Sequence, residues 1–421
     1  MITLAEQLSK FVEAGGDQQP TGVGRSADFA RGVILKGPWE TFADGFAEHT
    51  RRNARALALS GLPIALRSVA PKIRIAMGEE LEIDEQYRDL LERTVSNVEA
   101  QIIQIVPTDG SLQMLTAHKY YSVDEQRFIN GRKILYTVWE RMKGLQEDDV
   151  RALKAVGQVW VACQASKDFL VSEGLDESNV RVFPCPYLPD EPLLAVRDLP
   201  KKPTQKPSFY HVGKWEPRKE QRNIIGGFLS AFRPGECSLM IKTSDKAPFF
   251  QGYPPSLAVS LQEWLDDPRV KANGWTMENV GKDVFAVTKR ISNKQLRLLH
   301  QMSNCYVSLA RGEGFDMPAF DAKLSGNLML YTPSGGPQDF AHPEDVRVEP
   351  TGLVDAHPFY RWAKGSQYLD YDFESVVEGF KAAATKVRNG VDAKNDLSSF
   401  SAAEVGKRMA AAIRELGDLG I

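Results

Sequence analysis

Ser308-Leu309-Ala310-Arg311-Gly312-Glu313-Gly314-Phe315-Asp316-Met317-Pro318-Ala319-Phe320-Asp321-Ala322-Lys323-Leu324-Ser325-Gly326 is the stretch on which the reading of this chain turns. An apolar run ends near Leu309, two glycines flank an acid, Pro318 suits a first helical turn and Gly326 suits a C-terminal cap. The pattern predicts a strand, a loop and a helix. In an open α/β sheet such a loop lies at the carboxyl edge of the strands, where ligands bind. A helix starting near Pro318 presents unpaired backbone N–H groups and a positive dipole end, both suited to a diphosphate. Glu313 in the loop and Asp321 about one turn into the helix would flank that anion site as hydrogen-bond acceptors. Taken alone, the same segment also fits a solvated loop acid and an aspartate that only complements the helix dipole.

The same grammar extends in both directions. Upstream, Val33 to Leu35, a turn at Lys36-Gly37-Pro38, a helical stretch from Phe46 to Leu59 and Pro63 to Leu66 read as a βαβ beginning. Short apolar runs follow at Ile102 to Val106, Ile134 to Val138, Val159 to Ala162 and Val180 to Phe183. Leu199-Pro200-Lys201-Lys202-Pro203-Thr204-Gln205-Lys206-Pro207 buries almost nothing and reads as a linker. Beyond it strand, helix and strand recur at Phe209 to Val212, Asn223 to Phe232 and Ser238 to Ile241, then helix and strand at Gln295 to Met302 and Tyr306 to Leu309. Alternation of this kind predicts two α/β domains with mostly parallel sheets, residues 1–200 and 208–395, followed by a terminal helix within 396–421.

Bulk properties agree with an ordinary globular protein of that size. The 421 residues are 43% hydrophobic and 25% charged, with a formal net charge of −3. Residues 1–200 carry 23 Lys/Arg against 29 Asp/Glu, so the first half has no basic surplus for a nucleic-acid groove, although Arg51, Arg52 and Arg55 form a local patch. A nucleic-acid partner is therefore disfavoured. Cys163, Cys185, Cys237 and Cys305 are too scattered for a zinc site or a CxxC pair and are expected as buried reduced thiols. Met1 to Gly16 reads as a short amphipathic helix rather than a signal peptide, and no apolar run approaches the roughly 20 residues of a membrane span. The expected location is the cytoplasm or, peripherally, a membrane surface.

Two further segments complete the pattern. Phe209-Tyr210-His211-Val212-Gly213-Lys214-Trp215-Glu216-Pro217-Arg218-Lys219 reads as a strand and a basic turn, and Tyr136-Thr137-Val138-Trp139-Glu140 precedes Val159-Trp160-Val161-Ala162-Cys163. With the opening stretch they resemble the family 4 retaining glycosyltransferases, from about Ile134 to Gly336. That signature has Glu-Gly-Phe, here Glu313-Gly314-Phe315, and a second acid after seven intervening residues; Asp321 stands where Glu is usual. The family's basic turn has an Arg or Lys after the glycine and a Lys a few residues on, matched by Lys214 and Lys219, with Gly213 and Arg218 beside them.

The resemblance implies the GT-B architecture, in which two Rossmann-like domains face a cleft and the terminal helix crosses back to the N-terminal domain. It implies metal-independent transfer from a UDP- or GDP-linked sugar to a hydroxyl of a glycan, a lipid-linked acceptor or another molecule. No cofactor is implied. In those terms Lys214 and Lys219 stabilise the leaving diphosphate, Gly314 and Phe315 offer backbone amides, Glu313 orients the sugar and Asp321 holds the ribose. His118 is the implied histidine against the transferred sugar, with Asp109 as its competitor for that place.

Other motifs point nowhere else. There is no phosphate-loop signature, and Thr21-Gly22-Val23-Gly24 lacks the strand and helix that a dinucleotide fingerprint requires. Asp370-Tyr371-Asp372 has the form of a metal-binding Asp-x-Asp but reads as structural, away from a convincing strand. Three rivals remain: a GT-B sugar-nucleotide epimerase, a nucleic-acid-modifying glycosyltransferase and a catalytically silent sugar-nucleotide-binding subunit.

Overall fold

The computed structural model describes residues 30–37, 45–68, 98–106, 133–145, 147–155, 158–187, 205–244, 252–289, 291–357 and 365–416. The first sheet is built from β1 (Ala30–Gly37), β2 (Ile64–Ser68), β3 (Val98–Val106), β4 (Lys133–Thr137), β5 (Gln158–Val161) and β6 (Val180–Val182). Its order is β2-β1-β3-β4-β5-β6, with every pairing parallel. The second holds β7 (Ser208–Val212), β8 (Ser238–Lys242), β9 (Val284–Val287), β10 (Cys305–Ser308), β11 (Leu328–Tyr331) and β12 (Val346–Arg347). Its order is β12-β11-β10-β7-β8-β9, again all parallel. A short antiparallel pair, β13 (Pro350–Asp355) and β14 (Gln367–Tyr371), is added after β12.

The central strands are apolar throughout because helices cover both faces of each sheet. All four residues of β5, β10 and β11 are buried. In the second sheet, helices α3 (Gln221–Ala231) and α6 (Phe373–Arg388) cover one face through Phe228, Ile225, Val376 and Phe380. Helix α5 (Met317–Leu324) covers the other through Phe320 and Ala322, with α4 (Asn293–Met302) beside it. The first sheet has α1 (Gly45–Leu59) on one face and α2 (Gln164–Ser172) on the other. The Asp-x-Asp segment lies on a strand after all: Asp370 sits in β14, while Asp372 caps α6 by accepting from the Ser375 amide.

Helix α7 (Ala402–Glu415) packs on α1 and the first sheet, where Val405, Met409 and Ile413 join Val33, Leu35, Ala54 and Leu57 in one core. Its alanines and Gly406 explain the close approach. A Cβ at Gly406 would lie 1.9 Å from the Ala56 carbonyl oxygen, so only glycine fits at this crossing. The linker up to Thr204 and the segment Met1 to Gly16 lie outside the described residues. All four cysteines are buried free thiols. Among the described residues, no helix is long and apolar enough to cross a membrane.

Candidate active site

The strand order of the second sheet marks a candidate site before any side chain is considered. From β7 the chain winds outward to β8 and β9, then returns to place β10 on the other side of β7. The loops leaving β7 and β10 therefore diverge at the point where winding reverses, the place where open α/β sheets bind ligands. Those loops carry Gly213 to Lys219 and Arg311 to Asp316.

Their charged side chains converge. Arg218, in a 3-10 turn from Pro217 to Lys219, donates from Nη1 to Glu313 Oε1 at 2.9 Å and from Nη2 to Glu216 Oε1 at 2.8 Å. The Lys219 ammonium pairs with the same Glu313 oxygen. Across the interface, Glu140 at the end of β4 places Oε2 3.2 Å from Arg218 Nη2. Burial works to raise the Glu313 carboxyl, but Lys219 and Arg218 outweigh it and hold it below its ordinary value. Burial likewise opposes charge on Lys219, which Glu313 and Asp316 nevertheless raise, so the ammonium stays protonated. Two carboxyls move the other way. Glu140 is pushed up to about 7 by burial, against Arg218 and with help from Glu313 and Glu216. Asp316 is pushed up to about 6 by burial and by Glu313.

The backbone is shaped as closely as the charges. The two non-glycine residues with positive φ among the described residues, Glu220 (58°) and Asp316 (60°), both stand in these loops, each just before a helix. Such conformations cost about 1 kcal/mol or more and persist where surrounding contacts enforce them. Glu220 is held by the Arg311 guanidinium, which also donates to Asp370 at 2.6 Å; Asp316 accepts from Ser308 Oγ and from the Ala319 amide. Gly335, at φ +66°, lets the β11 loop reach the Glu313 carbonyl, since a Cβ there would lie 1.8 Å from that oxygen. Gly213 lies against His211, whose Nδ1 stands 2.8 Å from the Val307 carbonyl and whose burial pushes it down to about 4, keeping it neutral.

The residues singled out from sequence distribute as follows. Glu313, Arg218, Lys219, Gly213, Gly314 and Phe315 come together at the switch point. The Phe315 ring is core, stacked among Phe320 and Phe340, leaving its backbone to the site. Among the described residues nothing accepts a hydrogen bond from the Gly314 or Phe315 amide. Lys214 is exposed at the rim. Asp321, expected at a ribose, gives both carboxylate oxygens to Arg52 of α1, each at 3.0 Å. His118 and Asp109 lie outside the described residues. The Arg51 and Arg52 patch is spent on carboxylates: both also pair with Glu48, which their charges hold at about 2 against the opposing effect of its burial.

Sequence reasoning missed Glu140 as a member of the cluster, although it closes the Tyr136 to Glu140 segment that carries part of the family resemblance. The signal was its place at the end of a β strand facing the basic turn. It also missed the Arg311, Glu220 and Asp370 group, which no local spacing announces because the partners are 91 and 59 residues apart.

A glycosyltransferase from Rickettsia africae superposes with a TM-score of 0.55 at 10% identity, covering 92% of this chain and 98% of the other. Sucrose-phosphate synthase from Thermosynechococcus elongatus gives 0.54 at 15% identity, over 92% and 99%. HepE of Anabaena in complex with UDP-glucose gives 0.53 at 10% identity, over 91% and 99%. The chain has the GT-B fold. No protein-family model matches the sequence, and no curated protein matches it. Within the GT-B fold, the loops after β7 and β10 belong to the second Rossmann-like sheet and Glu140 to the first.

Proposed function

We propose that this GT-B protein is a retaining glycosyltransferase that moves a sugar from a nucleoside diphosphate sugar to an acceptor hydroxyl without a metal ion. The observation that carries the reading is the cation pair Arg218 and Lys219 converging on Glu313 beside the Gly314 and Phe315 amides at the switch point of the second sheet. Lys219, with Lys214 at the rim, meets the diphosphate and stabilises the charge that grows on it as the glycosidic bond breaks. The Gly314 and Phe315 amides and the start of α5 complete the anion site. Glu313, held ionised, accepts hydrogen bonds from sugar hydroxyls. A ribose contact by Asp321 would require that carboxylate to exchange Arg52 for the ribose hydroxyls.

UDP-glucose is the first donor to try, since it occupies the HepE complex of the same fold. A thermal-shift screen of UDP, GDP and their sugars measures binding without knowledge of the acceptor, because a ligand of the folded state alone raises the melting temperature. The reading expects one nucleotide series to stabilise the protein and its sugar to be transferred or slowly hydrolysed in excess EDTA. Silence toward both series, or activity abolished by EDTA and restored by Mn²⁺, overturns it.

A further inference from the structure

Lys219 stands one residue before a strained turn. Glu220 adopts φ 58° without being glycine and is the N-cap of α3, yet its side chain makes no capping bond to that helix. Its carboxylate turns to Arg311 instead: the guanidinium Nε donates to Oε1, while Asn223 Nδ2 donates to Oε2 at 2.6 Å. Arg311 Nη1 also donates to Asp370 at 2.6 Å and to the Leu369 carbonyl at 3.3 Å, and its guanidinium lies over the Tyr371 ring, 5.0 Å from the ring centre. The backbone of Arg311 continues the tie. Its amide donates to the Arg218 carbonyl at 2.9 Å, and its carbonyl accepts from the Leu369 amide at 2.8 Å. One residue thus joins the basic turn after β7, the loop after β10 and strand β14.

We infer that Arg311 is a positioning residue for the donor diphosphate: by clasping Glu220 in its left-handed turn it holds Lys219 at the anion site, a role resting on the glycosyltransferase reading above. The Glu220 amide closes the 3-10 turn onto the Pro217 carbonyl at 3.1 Å, and its carbonyl accepts from the Ile224 amide at 3.0 Å. The backbone angle at this residue therefore sets how the turn that carries Arg218 and Lys219 leaves α3. A non-glycine residue keeps a positive φ only while its surroundings enforce it. Without the clasp Glu220 relaxes, and its neighbour Lys219 moves with it.

Arg311 acts through the turn rather than on the phosphates. Its side chain is 19% exposed, and its guanidinium is engaged by Glu220, Asp370 and the Leu369 carbonyl. Burial raises the Glu220 carboxyl while the Arg311 charge draws it back down, so each group of the pair depends on the other.

The test measures nucleotide binding to the full chain by calorimetry, with UDP as the probe or GDP if the wild-type protein prefers it. Glu220→Ala removes the carboxylate but keeps the strain, so affinity should fall about tenfold, because binding must re-form a turn that has relaxed. Glu220→Gly removes the same carboxylate, but glycine takes the left-handed angle without a clasp, and affinity should stay within about threefold of wild type. Arg311→Gln should weaken binding as Glu220→Ala does, and adding Glu220→Gly to it should restore affinity to within about threefold. Equal affinities in Glu220→Ala and Glu220→Gly overturn the role of Arg311, and if Arg311→Gln does not fold this comparison decides alone. Arg311→Gln that melts lower but binds as wild type does makes Arg311 structural and overturns it too, as does a loss in Arg311→Gln that Glu220→Gly leaves unrelieved. Failure of the wild-type protein to bind either nucleotide instead overturns the reading on which the role rests.

Discussion

Two lysines packed around the second sheet, the buried Lys323 and the partly buried Lys219, each meet a carboxylate, yet their surroundings differ in kind. Lys323 and Asp345 are fully buried and 2.9 Å apart. The ammonium also donates to the Asn327 and Ala393 carbonyls at 3.1 and 2.8 Å, while Asp345 accepts from the Met329 and His342 amides. Every donor has one acceptor, and one cation meets one anion. Around Lys219, two cations face Glu313, Glu140 and Glu216, two amides await an acceptor, and the cluster spans both sheets at the carboxyl edge. A satisfied pair holds the fold together. An unbalanced one, at a switch point, leaves capacity for a ligand.

The largest effect expected from this contrast is on stability. Lys323→Met removes one partner of a fully buried pair and leaves Asp345 without its cation, which costs about 3–5 kcal/mol. Burial already draws Lys323 down and Asp345 up, each partly offset by the other's charge, so little in this pair is spare. Chemical denaturation should show the loss directly, and a double variant with Asp345→Leu should recover part of it. A Lys323→Met protein as stable as wild type would erase the distinction between the two lysines.

The second effect falls on turnover rather than folding. Glu313→Gln should lower transfer tenfold to a thousandfold, about 1.4–4 kcal/mol of transition-state stabilisation, with nucleotide affinity nearly unchanged. Lys219→Ala should weaken nucleotide binding as well, because the diphosphate is charged before and during reaction. Full turnover by Glu313→Gln at saturating donor and acceptor would make the unbalanced cluster structural too.

A third effect is read along the pH axis. Asp316 is raised from 3.8 to about 6 by burial and by the Glu313 charge. The native state then keeps a proton that the unfolded chain has released, so this group's contribution is present below about pH 4 and is lost as pH rises through 6. Asp316→Asn, which keeps an oxygen for the Ala319 amide, should gain on wild type by on the order of 1–3 kcal/mol between pH 4 and 6. Parallel stability curves for the two proteins would show that Asp316 does not carry the strain of the cluster.

How much of this could be seen in the sequence depends on the range of the interaction. The strands were legible because both faces of a parallel sheet are covered, so β5 and β10 appear as plain apolar runs. The helix after Asp316 was legible from Pro318 and from Gly326, which adopts φ +70° as a C-terminal cap requires. Strand order was not, since nothing local says that β10 returns to the side of β7. The strand around Asp370 was hidden for the same reason: β14 is a strand only because β13 pairs with it, and the structural part Asp370 plays depends on Arg311 arriving beside it. Glu140 belongs to a recognisable local pattern, but the four charged groups around it come from loops of the other sheet, which no local spacing announces.

The smallest expected effect concerns the contact that sequence spacing could least foresee. Arg52 and Asp321 are 269 residues apart and join α1 to α5 through two hydrogen bonds of 3.0 Å. Their side chains are 11% and 23% exposed, so solvent screens the pair only in part. A bidentate, half-buried ion pair of this kind contributes about 1 kcal/mol. Asp321→Asn should therefore lower the melting temperature only slightly, by roughly 1 °C in a chain of this size. Arg52→Gln should cost somewhat more, because it also ends the pairing with Glu48, and the double variant should cost little more than Arg52→Gln alone, because the Arg52–Asp321 contact is then already gone. If Asp321 is a brace between the sheets, UDP affinity in Asp321→Asn stays within threefold of wild type. If ribose hydroxyls displace Arg52 when donor binds, affinity falls tenfold or more in Asp321→Asn but not in Arg52→Gln, since only the aspartate would touch the nucleotide.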